Sequence, residues 1–342
     1  MRGIPLSSFS CSSRQHHAMF DRTTFPGMKL SVAMCTYNGE RFVAEQLRSI
    51  LEQSKKVDEI VVSDDGSSDA TLERVREALA AFPGQAPELT VLTGERLGIV
   101  RNFSRAVGAC TGDIIFLCDQ DDVWLPSKVG EMISVFGHDP DALLACSDAH
   151  LVDGNLVPLG RSQFQMVRMT DGLRRSLEGP SGFEALLRRN VVTGATVAFR
   201  RELLGIALPF SDCWLHDEWL AIMAAAKGGL RLVDKPLVLY RQHGSNQCGM
   251  KPESLAAQLV QASAKAPEHS GSKRIRRVME RLDHPDSRRM KHLESALAFE
   301  ERRKSLPASR IARAFMIGLM AEKYLRHADG ARSAVKDMLA RR

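Results

Sequence analysis

The chain has 342 residues, 44% of them apolar and 26% charged, and a formal net charge of +6. This is the composition of an ordinary soluble globular protein, long enough for one core plus an appended segment. It excludes a membrane-spanning helix, because no stretch approaches the roughly 20 apolar residues required.

Residues 1–27 carry Arg2, Arg14 and Arg22 but no continuous apolar run, so they read as an N-terminal extension without packed structure rather than a secretory signal. From Lys29 short apolar runs alternate with helical periodicity, the mark of α/β layering. Strands are expected at Leu30–Met34, Glu59–Val62, Leu89–Leu92 and Asp113–Leu117. Helices are expected between them at Arg41–Gln53, from the Ser67-Ser68-Asp69 cap candidates to Ala81, and at Ile99–Ala109. Pro126 and Ser127 open a further helix through Val129, Met132, Ile133 and Phe136.

The pattern then loosens. Leu143–Cys146 and Val192–Phe199 read as strands flanking a polar stretch, Gly154–Pro180, long enough to be a lid or an acceptor-facing loop. Trp214–Ala226 reads as a helix, and Leu230–Tyr240 as a strand pair punctuated by Pro236. Residues 246–342 form a basic helical segment, with 21 Lys or Arg against 11 Asp or Glu. Within it Ile311–Leu325 carries Ile311, Phe315, Leu319 and Met320 on one apolar face. Seven cysteines without a CxxC pair indicate free thiols in a reducing compartment.

The chemistry gathers at strand ends. Ile114–Leu117 runs into Cys118-Asp119-Gln120-Asp121-Asp122, with three carboxylates in four residues. At the end of a buried strand these need a cation or partner, and Mg²⁺ or Mn²⁺ suits a purely oxygen donor set. Asp122 reads equally well as a cap for the following helix. Asp64-Asp65-Gly66-Ser67-Ser68-Asp69 ends the second strand, where open α/β sheets bind ligands. Cys35-Thr36-Tyr37-Asn38-Gly39-Glu40 ends the first, with Thr36 and Tyr37 able to line a base pocket or simply to enter a turn.

Thr36-Tyr37-Asn38, Asp64-Asp65-Gly66-Ser67-x-Asp69, Asn102 and Asp119-x-Asp121-Asp122 follow one another in the order found in family 2 inverting glycosyltransferases. Over roughly Lys29–Asn246 the chain resembles that family, and Asp119–Trp124 most resembles its bacterial rhamnosyltransferase-like members. The resemblance implies a GT-A catalytic domain at 28–245, a mixed α/β sheet flanked by helices. It implies a nucleotide-sugar site at Thr36, Tyr37, Asp65, Asn102 and Asp119, with Asp121 and Asp119 holding a divalent metal. It places the catalytic base at Asp217, in His216-Asp217-Glu218-Trp219, where His216 replaces the usual Glu. His216, Glu218, Arg241 and His243 become candidate contacts to diphosphate or acceptor. Gly194 reads as an acceptor approach or a strand bulge.

The function so implied is sugar transfer, with rhamnose as one candidate. The donor is a nucleotide diphosphate sugar and the acceptor a glycan or lipid-linked hydroxyl in cell-surface polysaccharide synthesis. The setting is a bacterial cytoplasm, with the basic segment contacting the inner face of an anionic membrane. A nucleotidyltransferase would want a basic loop after the first strand, and Thr36–Glu40 has none. A nucleic-acid binder is disfavoured by the sparse aromatics of the tail, Phe299, Phe315 and Tyr324.

Overall fold

The computed structural model describes residues 27–243, 271–282 and 286–340. Residues 1–26 of the expected extension and the expected Gly244–Asn246 segment lie outside the described residues. Strands β1 (Leu30–Thr36), β2 (Glu59–Asp64), β3 (Glu88–Thr93) and β4 (Ile114–Asp119) alternate with α1 (Val43–Leu51), α2 (Thr71–Ala80) and α3 (Ile99–Ala109). They form a parallel half-sheet in the order β3-β2-β1-β4. After β5 (Val123–Trp124) and α4 (Lys128–His138) come β6 (Leu144–Asp153), β7 (Pro158–Ser162), β8 (Val197–Arg200) and β9 (Leu230–Gln242). These extend the sheet from β4 as β8-β6-β9-β5, with β8 antiparallel to both neighbours and β7 paired to β6.

Alternation along the central strands sends side chains into two cores. Leu30, Val32 and Met34 of β1 meet Val43, Leu47 and Ile50 of α1, with Phe116 of β4 beside them. Ala33 and Cys35 face the other way, onto Phe103 and Val107 of α3. That second core also receives α7 (Gly182–Arg188) and α9 (His216–Ala226). Every residue of α9 except Glu218 is buried, as expected for a helix that is apolar almost all round. Parallel register brings Thr36 opposite Asp64 and Cys35 opposite Asp119, so the sequence's chemical motifs share one edge of the sheet.

Four expectations change. Gly154–Pro180 is not one long loop: it contains β7, α5 (Gln163–Met166) and α6 (Asp171–Glu178), started by a Ser162/Gln165 capping box and a Thr170 cap. Only Val197–Arg200 of Val192–Phe199 is strand, because Thr196 bonds back to the Thr193 carbonyl in a 3₁₀ turn over Gly194–Thr196. β9 is one strand, not two. Its pairing to β6 slips between Val233 and Pro236, where the missing N–H of proline costs no ladder bond. At α2 the cap residue is Ala70; Ser67 instead ties the loop, donating to Asp64 and accepting from the Asn38 N–H.

The described C-terminal residues are helical: Gly271–Arg281, Ser287–Lys304, Arg310–Leu319, Ala321–His327 and Gly330–Leu339. Met320 packs into a small core with Phe299 and Tyr324, so it leaves the expected apolar face. Ile311, Phe315 and Leu319, four residues apart, remain 85%, 68% and 68% exposed. Among the described residues no helix is long and apolar enough to cross a membrane.

Burial of this kind makes a direct stability prediction. Trp219 is fully buried in α9 and its indole donates to the Ala207 carbonyl at 2.8 Å. Trp219→Ala should cost about 3–5 kcal/mol in urea unfolding, whereas Ile311→Ala should fall within about 0.5 kcal/mol of the native chain. Equal costs would contradict the assignment of α9 to the core.

Candidate active site

The ends of β1 and β2 are stitched into one loop layer. Asp64 accepts from the N–H groups of Gly66 and Ser67 at 3.1 and 2.8 Å and from the Thr36 hydroxyl at 2.7 Å. Gly66 is required here: its φ is +81°, and a Cβ would lie 2.8 Å from the Gly94 carbonyl oxygen. The Thr36 hydroxyl is thus committed to Asp64 and faces inward, a departure from the base-lining role expected of it. Asn102 is turned inward as well. Its amide donates to the Ser63 carbonyl at 2.8 Å and its oxygen accepts from the Ser63 hydroxyl at 2.7 Å, holding α3 on β2.

Asp65 sits at the mouth of this layer. One carboxylate oxygen accepts from the Leu97 N–H at 2.6 Å, the other from the Gly98 N–H at 2.9 Å. It therefore fixes the segment leading into α3 and keeps its remaining lone pairs for a ligand. Tyr37 is half-buried, with the Arg96 guanidinium 5.4 Å from its ring centroid. Gln120 bridges this layer to β4, accepting from the Tyr37 N–H at 2.8 Å and donating to its carbonyl at 3.0 Å. Sequence reasoning passed over Gln120, which stood inside the acidic run without a charge of its own.

At the end of β4 Asp122 is buried, and Asp119 and Asp121 are partly so. Desolvation, then Asp121 and Asp217, push the Asp119 carboxyl up to about 7. Asp122 is raised for the same reason, burial first and its acidic neighbours next, and its Oδ2 has no hydrogen-bond partner. Its other oxygen accepts from the Arg241 N–H at 2.9 Å. Lys128, also missed, is the internal cation: fully buried, it donates to the Ala195 carbonyl at 2.7 Å and lies 3.8 Å from the Trp124 ring centroid. Burial draws its ammonium down to about 7, and Cys118, Asp122 and Asp119 oppose that shift. Lys128 opens α4, and no local pattern in the sequence marks it as buried.

Arg241 is corrected from a diphosphate contact to a clamp. It is almost fully buried, donates to the carbonyls of Asp121 and Gly154 at 2.6 and 2.8 Å, and pairs with Glu45 at 2.6 Å. Its guanidinium also stacks over Phe42, 4.5 Å from the ring centroid. His243 does reach the site, its Nε2 lying 2.8 Å from the Asp121 carboxylate.

Among the described residues no three His, Cys, Asp or Glu side chains converge into a closed metal cage. The donor set nevertheless fits a divalent ion that takes its remaining ligands from phosphate and water. Asp121 and His243 would hold it, with Asp119 beside them, and the orphaned oxygen of Asp122 leaves a buried acceptor without a donor close by.

Opposite lies the start of α9. Asp217 is buried; its Oδ2 accepts from the Gly194 N–H at 2.8 Å and its Oδ1 from the Glu218 N–H at 2.7 Å. Burial dominates these bonds and lifts its carboxyl to about 6. Glu218 is held aside by Arg274 at 2.5 Å. His216 stacks on Phe103 with ring centroids 3.8 Å apart and both ring nitrogens unpartnered, and burial pulls its imidazole down to about 3. A Cβ on Gly194 would stand 3.0 Å from that ring, so the close approach expected at Gly194 is made by the protein's own His216.

Comparison with known proteins bears on the fold and the family likeness. The glycosyl transferase family 2 model matches residues 31–194. The dTDP-rhamnosyl transferase RfbG of Shigella flexneri is 28% identical over 230 residues, which cover 63% of this chain and 73% of that protein. An uncharacterized glycosyltransferase of Nostoc sp., alr2836, is 27% identical over 232 residues, 64% of this chain and 66% of that one. The chain thus spans about two thirds of the length of these relatives. Among solved structures, S. aureus TarS 1-349 in complex with UDP-GlcNAc superposes with a TM-score of 0.55 at 16% identity, covering 91% of this chain and 89% of that one. The mannosyltransferase PcManGT from Pyrobaculum calidifontis, in complex with GDP-Man and Mn²⁺, gives 0.52 at 21% identity over 86% and 75%. At such identities the likeness is one of fold, the GT-A fold. Residues 31–194 thus match glycosyl transferase family 2, and the chain is similar to that family in its ordered motifs and its sheet.

Proposed function

We propose that the protein transfers a sugar from a nucleotide diphosphate sugar to an acceptor hydroxyl with inversion at the anomeric carbon. The observation that carries this reading is Asp217: a buried carboxyl, fixed through both oxygens, facing the acidic end of β4 closely enough to raise the Asp119 carboxyl. In the reaction the acceptor oxygen attacks the anomeric carbon and its proton passes to Asp217. The anomeric carbon–oxygen bond breaks on the opposite side, and its electron pair leaves with the nucleoside diphosphate. One base opposite one leaving group gives inversion in a single displacement.

Asp65 and Tyr37 are proposed to receive the nucleoside, while Thr36, Asn102 and Gln120 hold their loops in place. A divalent cation, Mg²⁺ or Mn²⁺, would supply positive charge to the diphosphate at Asp121 and His243. A rhamnosyl donor is supported by the relative RfbG, and the acceptor is proposed to be a glycan or lipid-linked hydroxyl in polysaccharide assembly.

The proposed setting is the cytoplasmic face of an anionic membrane. Arg310–Leu319 presents Ile311, Phe315 and Leu319 to solvent, and no acidic residue occurs between Glu301 and Glu322. An apolar face in such surroundings suits an anionic lipid surface.

Three measurements test these statements. Because the base must be ionised, kcat/KM should climb as pH rises through about 6 and level off above it. Asp217→Asn should lower kcat/KM by about 10² or more and abolish that limb, while Glu218→Gln keeps most of the rate. The reverse pattern would move the base to Glu218.

EDTA should stop transfer, with Mn²⁺ or Mg²⁺ restoring it, and Asp121→Asn should lower kcat/KM by about two orders of magnitude. Full activity in EDTA would remove the metal.

In vesicle flotation the protein should rise with phosphatidylglycerol vesicles but not with neutral ones, and Phe315→Asp should abolish the difference. Equal recovery of both proteins would contradict the membrane setting.

A further inference from the structure

Helices α6 and α7 and the C-terminal helices border an open cavity of about 440 Å³ whose walls are cationic. Arg188 comes from α7, Arg288 and Lys291 from Ser287–Lys304, and Arg326 from Ala321–His327. Among the described residues a single carboxylate, Glu184, lines the same space, and Arg288 already engages it at 3.4 Å. Arg326 is paired at 3.0 Å with Glu322, which is not part of the lining. The other two cations make no ion pair among the described residues: Arg188, four residues after Glu184, donates weakly to the Leu325 carbonyl at 3.4 Å, and Lys291 has no polar partner there.

Four cations drawn from three separate helices repel one another across this space, and only one acid in the lining offsets them. The buried imidazole of His327 registers part of the same field. His327 donates or accepts through Nε2 at the Ser295 hydroxyl, 2.9 Å away, while its Nδ1 is buried without a partner. Burial, then His292, Arg326 and Lys323, draw that imidazole down to about 4. Guanidinium forks beside a point-charge ammonium match phosphate oxygens in geometry and charge. No Phe, Tyr or Trp lines the cavity, so nothing there would stack a nucleic-acid base.

We propose that this cavity binds a phosphate or diphosphate group, at a site separate from the donor site on the strand ends. The proposal stands on the charge and shape of the cavity and does not depend on the transfer reaction. The group could be borne by a soluble phosphorylated sugar or by a lipid headgroup, and the chemistry recognised is the same.

Calorimetric titration of the full chain with inorganic pyrophosphate, in EDTA, tests it. One site is expected, weakened tenfold or more in the double variant Arg188→Gln/Lys291→Gln. Lys291 is exposed, so Lys291→Glu is a second variant that keeps the fold and should weaken binding as well. Monomeric dihexanoyl phosphatidic acid is then added as competitor. Displacement of pyrophosphate assigns a lipid headgroup, and no displacement assigns a soluble phosphate; either result requires the site. Absence of binding to the native chain, unchanged binding in both variants, or an equal response to sodium chloride at matched ionic strength would overturn the proposal.

Discussion

The structure is organised around the cost of burying negative charge at the end of β4. Asp122 leaves water, and Asp119 in part, beside Asp121, and carboxylates so placed are unstable unless cations or donors face them. The fold answers from three directions. Lys128 supplies an ammonium from beneath, Arg241 a backbone donor and a guanidinium clamp from β9, and His243 an imidazole at the rim. The compensation is incomplete, as the raised carboxyls and the orphaned oxygen of Asp122 show. Carboxyls so raised would gain from the divalent cation proposed to sit beside them.

The same principle governs α9. Its apolar surroundings hold the Asp217 carboxyl near neutrality, while Glu218, one residue along and about 100° around the helix, is turned to Arg274. Arg274 belongs to the C-terminal helix Gly271–Arg281, and its guanidinium stacks 3.6 Å from the Trp214 ring centroid. Arg281 of that helix donates to the carbonyls of Leu208 and Pro209 at 2.6 and 2.9 Å. The basic C-terminal segment therefore helps to separate two adjacent carboxylates, tying up Glu218 while Asp217 keeps only backbone donors.

Much of the catalytic layer was legible in the sequence because it depends on local signals. Short apolar runs located β1, β2 and β4, and within the expected helix Arg41–Gln53 the residues Phe42, Gln46, Ser49 and Ile50 are all buried. The acidic strand ends then fell on one sheet edge by parallel register. What escaped depends on contacts distant in sequence. Lys128 and Ala195 are 67 residues apart, and Arg241 and Glu45 are 196 apart. No local pattern distinguishes such buried cations from surface ones. The short elements in Gly154–Pro180 were hidden by polar composition, although the Ser162-x-x-Gln165 capping box was there to be read. At Thr36 and Asn102 the residue types pointed to a ligand, but their hydrogen bonds are spent inside the protein.

The central claim is that one carboxylate, Asp217, acts across from the departing diphosphate in a single displacement. The anomeric configuration of the product, read by NMR against a nucleotide sugar of known configuration, tests it most directly. The account predicts a product of inverted configuration throughout the reaction course. A product that keeps the donor's configuration would require a second displacement or front-face attack, and would contradict it.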